Sequence, residues 1–290
     1  MTPGAASARA RERLDQWLVT HGHAATRHEA QAAIMAGNVS VDGRVVDKPG
    51  RAVRAGAAVT LRGPAHPFVG RGGLKLAHAL EVFQIDVRGR TAVDLGASTG
   101  GFTDCLLNAG AARVYAVDVG HGQLAWRLRT DPRVVCLEGT NARYLTSAQV
   151  GGPRDLVTAD LAFISLRLVW TAIAGLVVPG ADVIALVKPQ FEAGREEVGR
   201  RGVVRDPAVH RAVLRRVAAA AAAAGLSLRG VTPSPVTRPA GNIEYLAHLE
   251  PAAEMAGGSA GGVDSDAAVA EAHARISSLR EDRPAVRRRA

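Results

Sequence analysis

Four charged residues follow short apolar runs or glycine-rich turns, where a ligand could reach their side chains. Asp160 follows the run LVTA, and Lys188 follows the run VIALV; Lys75 and Glu244 follow the segments GRGGL and AGNI. Because Asp160 and Lys188 end successive strand-like runs, we expect both at the ligand side of a sheet. Two lysines beside two carboxylates could hold or transfer a proton during a reaction. Alternatively, the four residues could be ion pairs at the edge of the sheet.

A glycine-rich turn lies between a strand-like run and a helical pattern in the segment TAVDLGASTGGF, residues 91–102. Glycines there would let the backbone pass close to a bulky ligand, because they have no Cβ atom. The spacing differs from G-x-G-x-x-G and no P-loop lysine follows, which argues against a dinucleotide or a nucleoside triphosphate. The segment could also be an ordinary tight turn. Asp118 ends the next strand-like run, where a carboxylate is suited to bind two ribose hydroxyls.

Apolar runs and helical patterns alternate after residue 90, which predicts an open α/β sheet of seven strands. The first predicted strand begins at Thr91, and the others are Arg113–Val117, Val134–Leu137, Asp155–Ala159, Asp182–Val187, about Ser227–Pro235 and Ile243–Leu249. The predicted helices include one over Phe102–Ala109, one opened by Gly120, Gly122 and Gln123, and one over Pro207–Ala224. Ser165 is a predicted helix N-cap. The charged, glycine-rich segment 192–205 has no periodicity and is predicted to be a functional loop.

The N-terminal region predicts a small α+β domain. Apolar residues at helical spacing indicate one helix that Gly22 ends and a second that begins near Thr26. The following segment V-x-V-D-G-x-x-V predicts a hairpin that turns at Asp42-Gly43. This order of two basic helices and a hairpin resembles the S4 RNA-binding domain, which implies shape-directed and salt-sensitive binding to RNA phosphates. The residues that we expect to contact RNA are Arg11, Arg13, Arg27, His28, Lys48, Arg51 and Arg71.

Length, charge and composition narrow the class of protein. The 290 residues suffice for one large and one small domain, and the net charge of +9 favours a polyanionic partner. No apolar run approaches the ~18 residues of a transmembrane helix, and the N-terminus lacks a secretory core. Cys105 and Cys136 have no metal-ligand spacing, and we expect no metal site. We therefore expect a cytoplasmic protein without stable membrane association, and a monomer.

Two further motifs resemble methyltransferases. The sequence D-L-G-x-x-x-G-G of residues 94–101 is similar to the first motif of S-adenosylmethionine-dependent methyltransferases. The sequence FVGRGGLKL of residues 68–76 resembles the Y-V-S-R-G-G-x-K-L segment of the TlyA family, whose members are ribosomal RNA 2′-O-methyltransferases and were also named haemolysins. Here Phe68 replaces the tyrosine and Gly70 replaces the serine. The contexts GGLKL, ADLAFISL, LVKPQFE and GNIEY resemble those of the Lys-Asp-Lys-Glu tetrad in FtsJ-type ribose methyltransferases.

The resemblance implies a Rossmann-like class I methyltransferase fold, S-adenosyl-L-methionine as the cofactor and cytidine riboses of 16S or 23S ribosomal RNA as the substrate. It makes Lys75, Asp160, Lys188 and Glu244 the catalytic residues. Lys188 would accept the proton of the 2′-hydroxyl or stabilise the alkoxide, Asp160 would orient Lys188, and Glu244 would hold Lys75. The implied cofactor-binding residues are Asp94, Gly96, Ala97, Ser98, Gly100, Gly101, Phe102, Asp118, Asn141 and Asp160.

Two other functions stay open at this point. The family's older name suggests a membrane-active haemolysin, and the N-terminal domain alone would suit a non-catalytic RNA-binding factor in ribosome assembly. The expected domains are an S4-type RNA-binding domain at 9–62, an interdomain hinge at 63–75 and a methyltransferase domain at 76–250. The small, polar and partly low-complexity tail at 251–290 is expected to be disordered, apart from one short amphipathic helix that Ala267–Leu279 could form.

Overall fold

The computed structural model describes residues 11–24, 27–61, 67–199, 202–236, 242–252 and 265–281. Two bodies follow each other along the chain: a small α+β domain and a larger α/β domain built around one sheet. Thr26, the expected N-cap of the second helix, lies outside the described residues.

The small domain packs two helices on short antiparallel strands. Its elements are β1 (Arg11–Arg13), α1 (Leu14–Thr20), α2 (Arg27–Met35), β2 (Val39–Val41), β3 (Arg44–Val45), β4 (Ala52–Arg54) and β5 (Val59–Leu61). Strand β2 pairs with both β3 and β5, and β1 pairs with β4. Asp42 and Gly43 both have positive φ angles, of 51° and 74°, so the predicted hairpin turn is present. Leu14, Leu18 and Ile34 are fully buried between the helices and the strands.

The large domain has a seven-stranded sheet with helices on both faces, as predicted. Its elements are α3 (Gly72–Val82), β6 (Thr91–Leu95), α4 (Gly101–Asn108), β7 (Arg113–Val117), α5 (Trp126–Arg129), β8 (Val134–Leu137), β9 (Arg154–Ala159), α6 (Trp170–Ala174), β10 (Val177–Val187), α7 (Pro189–Glu192), α8 (Pro207–Ala223), β11 (Leu226–Pro233), β12 (Tyr245–Pro251) and α9 (Ser265–Glu281). The strand order is β11-β12-β10-β9-β6-β7-β8, and β12 is antiparallel to its neighbours.

The central strands are apolar on both sides because helices cover both faces of the sheet. Val183 and Ile184 of β10 are both fully buried, although consecutive side chains point to opposite faces. They belong to two separate hydrophobic clusters, one on each face of the sheet. The parallel strands all leave this packed core at the same edge, which is formed by their carboxyl ends. Loops follow the strands there, so side chains are no longer packed between the sheet and its helices.

Several elements differ from the prediction. Helix α3 begins at Gly72, so the last residues of the expected hinge are helical. Helix α5 starts only at Trp126 and has four residues, because the glycine-rich segment 118–125 forms a loop. Helix α9 spans Ser265–Glu281 and packs on α8 and β11 with Val269 fully buried. This helix includes the segment Ala267–Leu279 that we expected could be helical, so the expected disorder of the tail does not apply to residues 265–281. The domain limits stay predictions.

Candidate active site

Two lysine–carboxylate pairs lie together at the edge of the sheet where the parallel strands end. Lys75 Nζ is 2.5 Å from Glu244 Oε2, and Lys188 Nζ is 2.5 Å from Asp160 Oδ1. Lys188 Nζ also donates a hydrogen bond of 2.8 Å to the carbonyl oxygen of Leu161. Lys75, Lys188 and Glu244 are each at most 6% exposed. Buried charges need partners, and each of these has an opposite charge in contact.

The sheet itself brings these four residues together. Asp160 follows β9, and Lys188 follows the neighbouring strand β10, so both leave the sheet at its carboxyl edge. Glu244 directly precedes the antiparallel strand β12, whose first residue Tyr245 pairs with Val187. Lys75 lies in the first turns of α3 and reaches Glu244 from a helix above the sheet. The order of strands therefore explains why residues 169 positions apart make contact.

A cleft with two lobes opens at this edge. The smaller lobe has a volume of about 190 Å³ and contains Lys75, Asp160, Lys188 and the glycine-rich turn. The larger lobe, of about 840 Å³, extends over the ends of β7 and β8. Six residues line both lobes, and these are Met35, Arg71, Gly96, Ser98, Asp160 and Ala162. One elongated ligand could therefore span the cleft from the ends of β7 and β8 to the lysines.

Two glycines of the glycine-rich turn, Gly96 and Gly101, lie close to backbone atoms of other chain segments. Gly96 has a φ angle of +84°, and a Cβ atom there would lie 2.7 Å from the carbonyl oxygen of Asp160. A Cβ atom on Gly101 would lie 3.0 Å from the backbone nitrogen of Gly73. Glycine is needed at Gly96 because its backbone is left-handed and its neighbour is another chain segment. The turn thus brings β6, β9 and α3 together around the smaller lobe.

Asp118 is placed to bind a ligand in the larger lobe. Its carboxylate accepts hydrogen bonds from the backbone N–H groups of Ser98 (2.8 Å) and Gly120 (2.7 Å). These bonds fix the carboxylate at the end of β7, and each oxygen keeps a second lone pair for a donor in the lobe. Asn141 also lines this lobe, but its side-chain oxygen accepts from the backbone N–H of Arg143 and caps a short 3-10 helix.

Asp94 does not reach the cleft, although we expected it to bind the cofactor. Its side chain is fully buried and accepts hydrogen bonds from the hydroxyls of Thr103 (2.7 Å) and Thr158 (3.1 Å). Burial raises the pKa of Asp94 to about 7. Its acidic side chain therefore fixes α4 and β9 to β6, the strand that precedes the turn. The motif alone could not show whether the Asp94 side chain points into the core beneath the turn or into the cleft.

Of the remaining residues predicted to bind the cofactor, all but Gly100 line the smaller lobe. Ala97, Ser98, Gly101 and Phe102 all contact it. Gly100, by contrast, faces Leu128 and Leu124, and a Cβ atom there would lie 2.3 Å from Leu128 Cδ1. Gly100 therefore serves the packing of α5 against the turn rather than the cleft.

Sequence reasoning missed several residues of the cleft. Thr99 lines the smaller lobe, and its hydroxyl oxygen lies 2.9 Å from the place where a Cβ atom on Gly70 would be. A serine at Gly70 would therefore displace the Thr99 hydroxyl. Phe163 lines the larger lobe with 91% of its surface exposed and a φ angle of +63°. An aromatic residue three positions after Asp160 could have indicated a residue of the cleft. Only the conformation of the loop shows that its side chain faces solvent.

Two of the predicted RNA-binding arginines neutralise a buried acid. Arg13 Nη2 and Arg27 Nη2 lie 2.9 Å and 3.0 Å from Asp15 Oδ2, and Gln31 donates to the same oxygen. Burial alone would raise the pKa of Asp15, but these hydrogen bonds outweigh it and hold the pKa well below its usual value. About half of each arginine side chain stays exposed. Both arginines therefore stabilise the small domain, whatever they also contact outside it.

Two of the other predicted RNA-binding residues, Arg71 and Lys48, lie at the cleft. Arg71 lines both lobes and packs across Gly37 of the small domain, where a Cβ atom would lie 2.7 Å from its Nε atom. Lys48 is exposed and lines the larger lobe. Arg11 belongs to β1, paired with Arg54. The small domain therefore borders the cleft through Met35 and Lys48.

Comparison with known proteins identifies both domains. The FtsJ-like methyltransferase family matches residues 68–250, and the S4 domain family matches residues 12–59. The chain is 50% identical over 240 residues to the 16S/23S rRNA (cytidine-2′-O)-methyltransferase TlyA of Mycobacterium tuberculosis, covering 82% of this chain and 90% of that protein. The chain belongs to the TlyA family. Its fold is thus that of an FtsJ-like methyltransferase preceded by an S4 domain.

Other relatives share the whole domain arrangement. Hemolysin A of Brachyspira hyodysenteriae is 36% identical over 242 residues, which cover 82% of this chain and 99% of that protein. A solved structure described as a hemolysin from Streptococcus thermophilus has a TM-score of 0.73 and 42% identity, covering 94% of this chain and 99% of that one. In this TlyA-family chain, no helix within the described residues is long and apolar enough to cross a membrane.

Proposed function

We propose that this protein transfers a methyl group from S-adenosylmethionine to the 2′-hydroxyl of cytidine in ribosomal RNA. The observation that carries the proposal is the pair of buried lysine–carboxylate contacts beside the glycine-rich turn. The M. tuberculosis relative named above is a 16S/23S rRNA (cytidine-2′-O)-methyltransferase. The net charge of +9 and the S4 domain fit an RNA substrate. We expect the reaction in the cytoplasm.

The residues of the cleft fit this cofactor. Asp118 offers carboxylate oxygens at the end of β7, where a ribose diol binds in related α/β folds. Gly96 lines the smaller lobe without a side chain, where the sulfonium-bearing part of the cofactor would lie. S-adenosylmethionine supplies an electrophilic methyl group on a positively charged sulfur. Asp160, which lines both lobes, places negative charge on the side of the cleft that would receive it.

Lys188 is suited to stabilise the attacking oxygen. Two of its three N–H bonds are taken by Asp160 and by the carbonyl of Leu161, which fixes the direction of the third. A fixed donor in a site with little water stabilises negative charge as it develops on the ribose oxygen. Of the two roles predicted for Lys188, we infer alkoxide stabilisation, because its contacts with Asp160 and Leu161 leave one N–H to donate to the ribose oxygen.

Lys75 and Glu244 are suited to position the ribose. Glu244 holds the Lys75 ammonium group from below, and Lys75 lines the smaller lobe beside Lys188. In the reaction the O–CH₃ bond forms as the S–CH₃ bond breaks, the electron pair of the broken bond returns to sulfur, and the hydroxyl proton passes to a water molecule at the mouth of the cleft. Correct placement of the two reacting groups supplies much of the rate enhancement.

The rim of the cleft offers contacts for RNA. Phe163 projects an exposed ring beside the larger lobe, and unstacked bases stack on such rings. Arg71 and Lys48 place positive charge on the side of the small domain. We infer that the target nucleotide leaves its helix, that its base meets Phe163 and that its phosphates meet the two cations.

Methylation assays with variants test the proposal. Lys75→Met should bind S-adenosylmethionine normally and lower methyl transfer to ribosomal RNA by roughly 100-fold or more, because it removes the ammonium group that positions the ribose. Arg88→Ala, which removes an exposed charge, is the control. Deletion of residues 1–62 should lower activity on intact subunits. Cofactor binding without any ribosomal RNA methylation would instead favour an RNA-binding assembly factor, and erythrocyte lysis by the purified protein would favour a haemolysin.

A further inference from the structure

A buried carboxylate outside the tetrad joins the loops that carry two of its members. Glu192 is 4% exposed at the end of α7, four residues after Lys188. It accepts a hydrogen bond of 2.6 Å from the Ser165 hydroxyl and one of 2.7 Å from the backbone N–H of Leu166. Both donors follow β9 in the segment that begins at Asp160. Glu192 therefore connects the loop after β10 to the loop after β9.

The loop of residues 161–165 is held at both of its ends. At its beginning, Lys188 Nζ binds the carboxylate of Asp160 and the carbonyl of Leu161. At its end, Glu192 binds Ser165 and the N–H group of the next residue. Lys188 and Glu192 lie at opposite ends of α7, so one short rigid helix fixes both ends of the loop.

The loop between the two contacts presents Phe163. This residue has a φ angle of +63°, and its ring lies 5.4 Å from that of Phe191 on α7. A bulky residue in the left-handed region costs roughly 1 kcal/mol or more and persists only where the surroundings impose it. The exposed ring has few contacts of its own to impose that conformation. The fixed ends of the loop and the Phe191 ring must therefore provide it.

We infer that Glu192 is a positioning residue for methyl transfer, which holds the loop that presents Phe163 to the substrate and fixes Asp160 relative to Lys188. The inference rests on the proposed function. Glu192 contacts this segment through Ser165 and Leu166, and its Oε2 also lies 3.8 Å from Nε of Arg167, the next residue along the same segment. A carboxylate suits this place because the two donors bind different oxygens, Oε2 and Oε1, and an amide would put an NH₂ donor in place of one of them.

The loop conformation can be tested without any activity. The chain has five phenylalanines, so fluorophenylalanine labelling gives five ¹⁹F resonances, and Phe163→Leu identifies the one that matters. In Glu192→Ala, the resonances of Phe163 and Phe191 should shift or broaden while the other three stay in place. Glu196→Gln, an exposed carboxylate on the same segment, is the control and should change none of them. Five unchanged resonances in Glu192→Ala would overturn the inference.

Kinetics then separate positioning from folding. With rates expressed per S-adenosylmethionine-binding site, Glu192→Ala should lower kcat on ribosomal RNA by about 10-fold or more and leave the cofactor Kd within twofold. Glu192→Gln, which keeps one acceptor, should fall between wild type and Glu192→Ala. In a Phe163→Ala background, Glu192→Ala should have a smaller effect, because contacting groups are not additive.

Two results of these kinetics have distinct meanings. A merely structural role predicts fewer cofactor-binding sites, unchanged kcat per site and additive effects with Phe163→Ala, and that result would overturn the inference. Wild-type protein that methylates no ribosomal RNA would reject the proposed function, while the ¹⁹F spectra would still decide whether Glu192 holds the loop.

Discussion

Replacement of Gly96 by alanine separates two costs that the structure keeps distinct. The first is the left-handed backbone, with φ of +84°, which costs a non-glycine residue about 1–2 kcal/mol. The second is the new Cβ atom, which would lie 2.7 Å from the carbonyl oxygen of Asp160 and 3.2 Å from a side-chain methyl of Leu161. Because the nearer atom belongs to the backbone, this close contact can be relieved only if β6 and the loop after β9 move apart.

Gly89→Ala is the matched control. Gly89 also has a positive φ angle, of 73°, but a Cβ atom there would meet no other atom within 4 Å. The control therefore includes only the backbone strain. Overpacking a rigid site costs about 1–3 kcal/mol more, so Gly96→Ala should lose roughly 2–5 kcal/mol of stability and Gly89→Ala about 1–2 kcal/mol.

The assay combines unfolding with cofactor binding. Trp170 is 1% exposed in the large domain, and its fluorescence reports unfolding there. Gly96→Ala should also weaken S-adenosylmethionine binding by about 10-fold or more, since any displacement of Asp160 disturbs both lobes of the cleft. Gly89→Ala should leave the cofactor Kd unchanged. If the two variants had equal stability and equal cofactor affinity, the close contact at Gly96 would not be what shapes the site.

Three further predictions concern charge. Burial raises the pKa of Asp94 to about 7, so the folded protein holds a proton that the unfolded chain releases near pH 4. The stability of the fold should therefore fall as the pH rises from about 4 to 7. Asp94→Asn should remove this dependence of the melting temperature on pH. Burial lowers the pKa of His210 to about 4, so stability should also fall as the pH drops from about 6.5 to 4, and His210→Gln should remove that loss. Parallel pH profiles for wild type and variants would contradict both assignments. Finally, Lys48→Ala combined with Arg51→Ala should reduce the salt dependence of RNA binding by about two in logarithmic slope, unlike Arg88→Ala; an unchanged slope would remove these two exposed residues from the RNA interface.

Periodicity was sufficient to place the strands of the large domain. The predicted strands Arg113–Val117 and Val134–Leu137 have these limits in the structure, because both are short apolar runs between clear turns. Helix α5 was overestimated, since apolar residues at helical spacing also occur where a loop packs on the turn at Gly100. The ordered part of the tail was underestimated. Its small residues bury a face on α8 and β11 that the low hydrophobicity of the segment does not reveal.

The residues of the candidate site that follow strand ends could be predicted from the sequence. Asp160 and Lys188 meet because parallel neighbours end at one edge, a rule that needs no coordinates. The depth of Asp94 and the partner of Arg13 could not be predicted in this way, because both depend on side chains distant in sequence. Glu192 was hidden for the same reason. Its partners lie 26 and 27 positions earlier, on a different loop.

The central claim is that the buried lysine–carboxylate pairs catalyse ribose methylation of ribosomal RNA. Its most direct test compares wild type with Lys188→Ala on purified ribosomal subunits, with modified sites mapped by resistance of the RNA backbone to alkaline cleavage. Wild type should produce a 2′-O-methylcytidine, and Lys188→Ala should remain folded, bind S-adenosylmethionine and produce none. An equal 2′-O-methyl signal from folded Lys188→Ala, or a methyl group on a base instead of a ribose, would contradict the account.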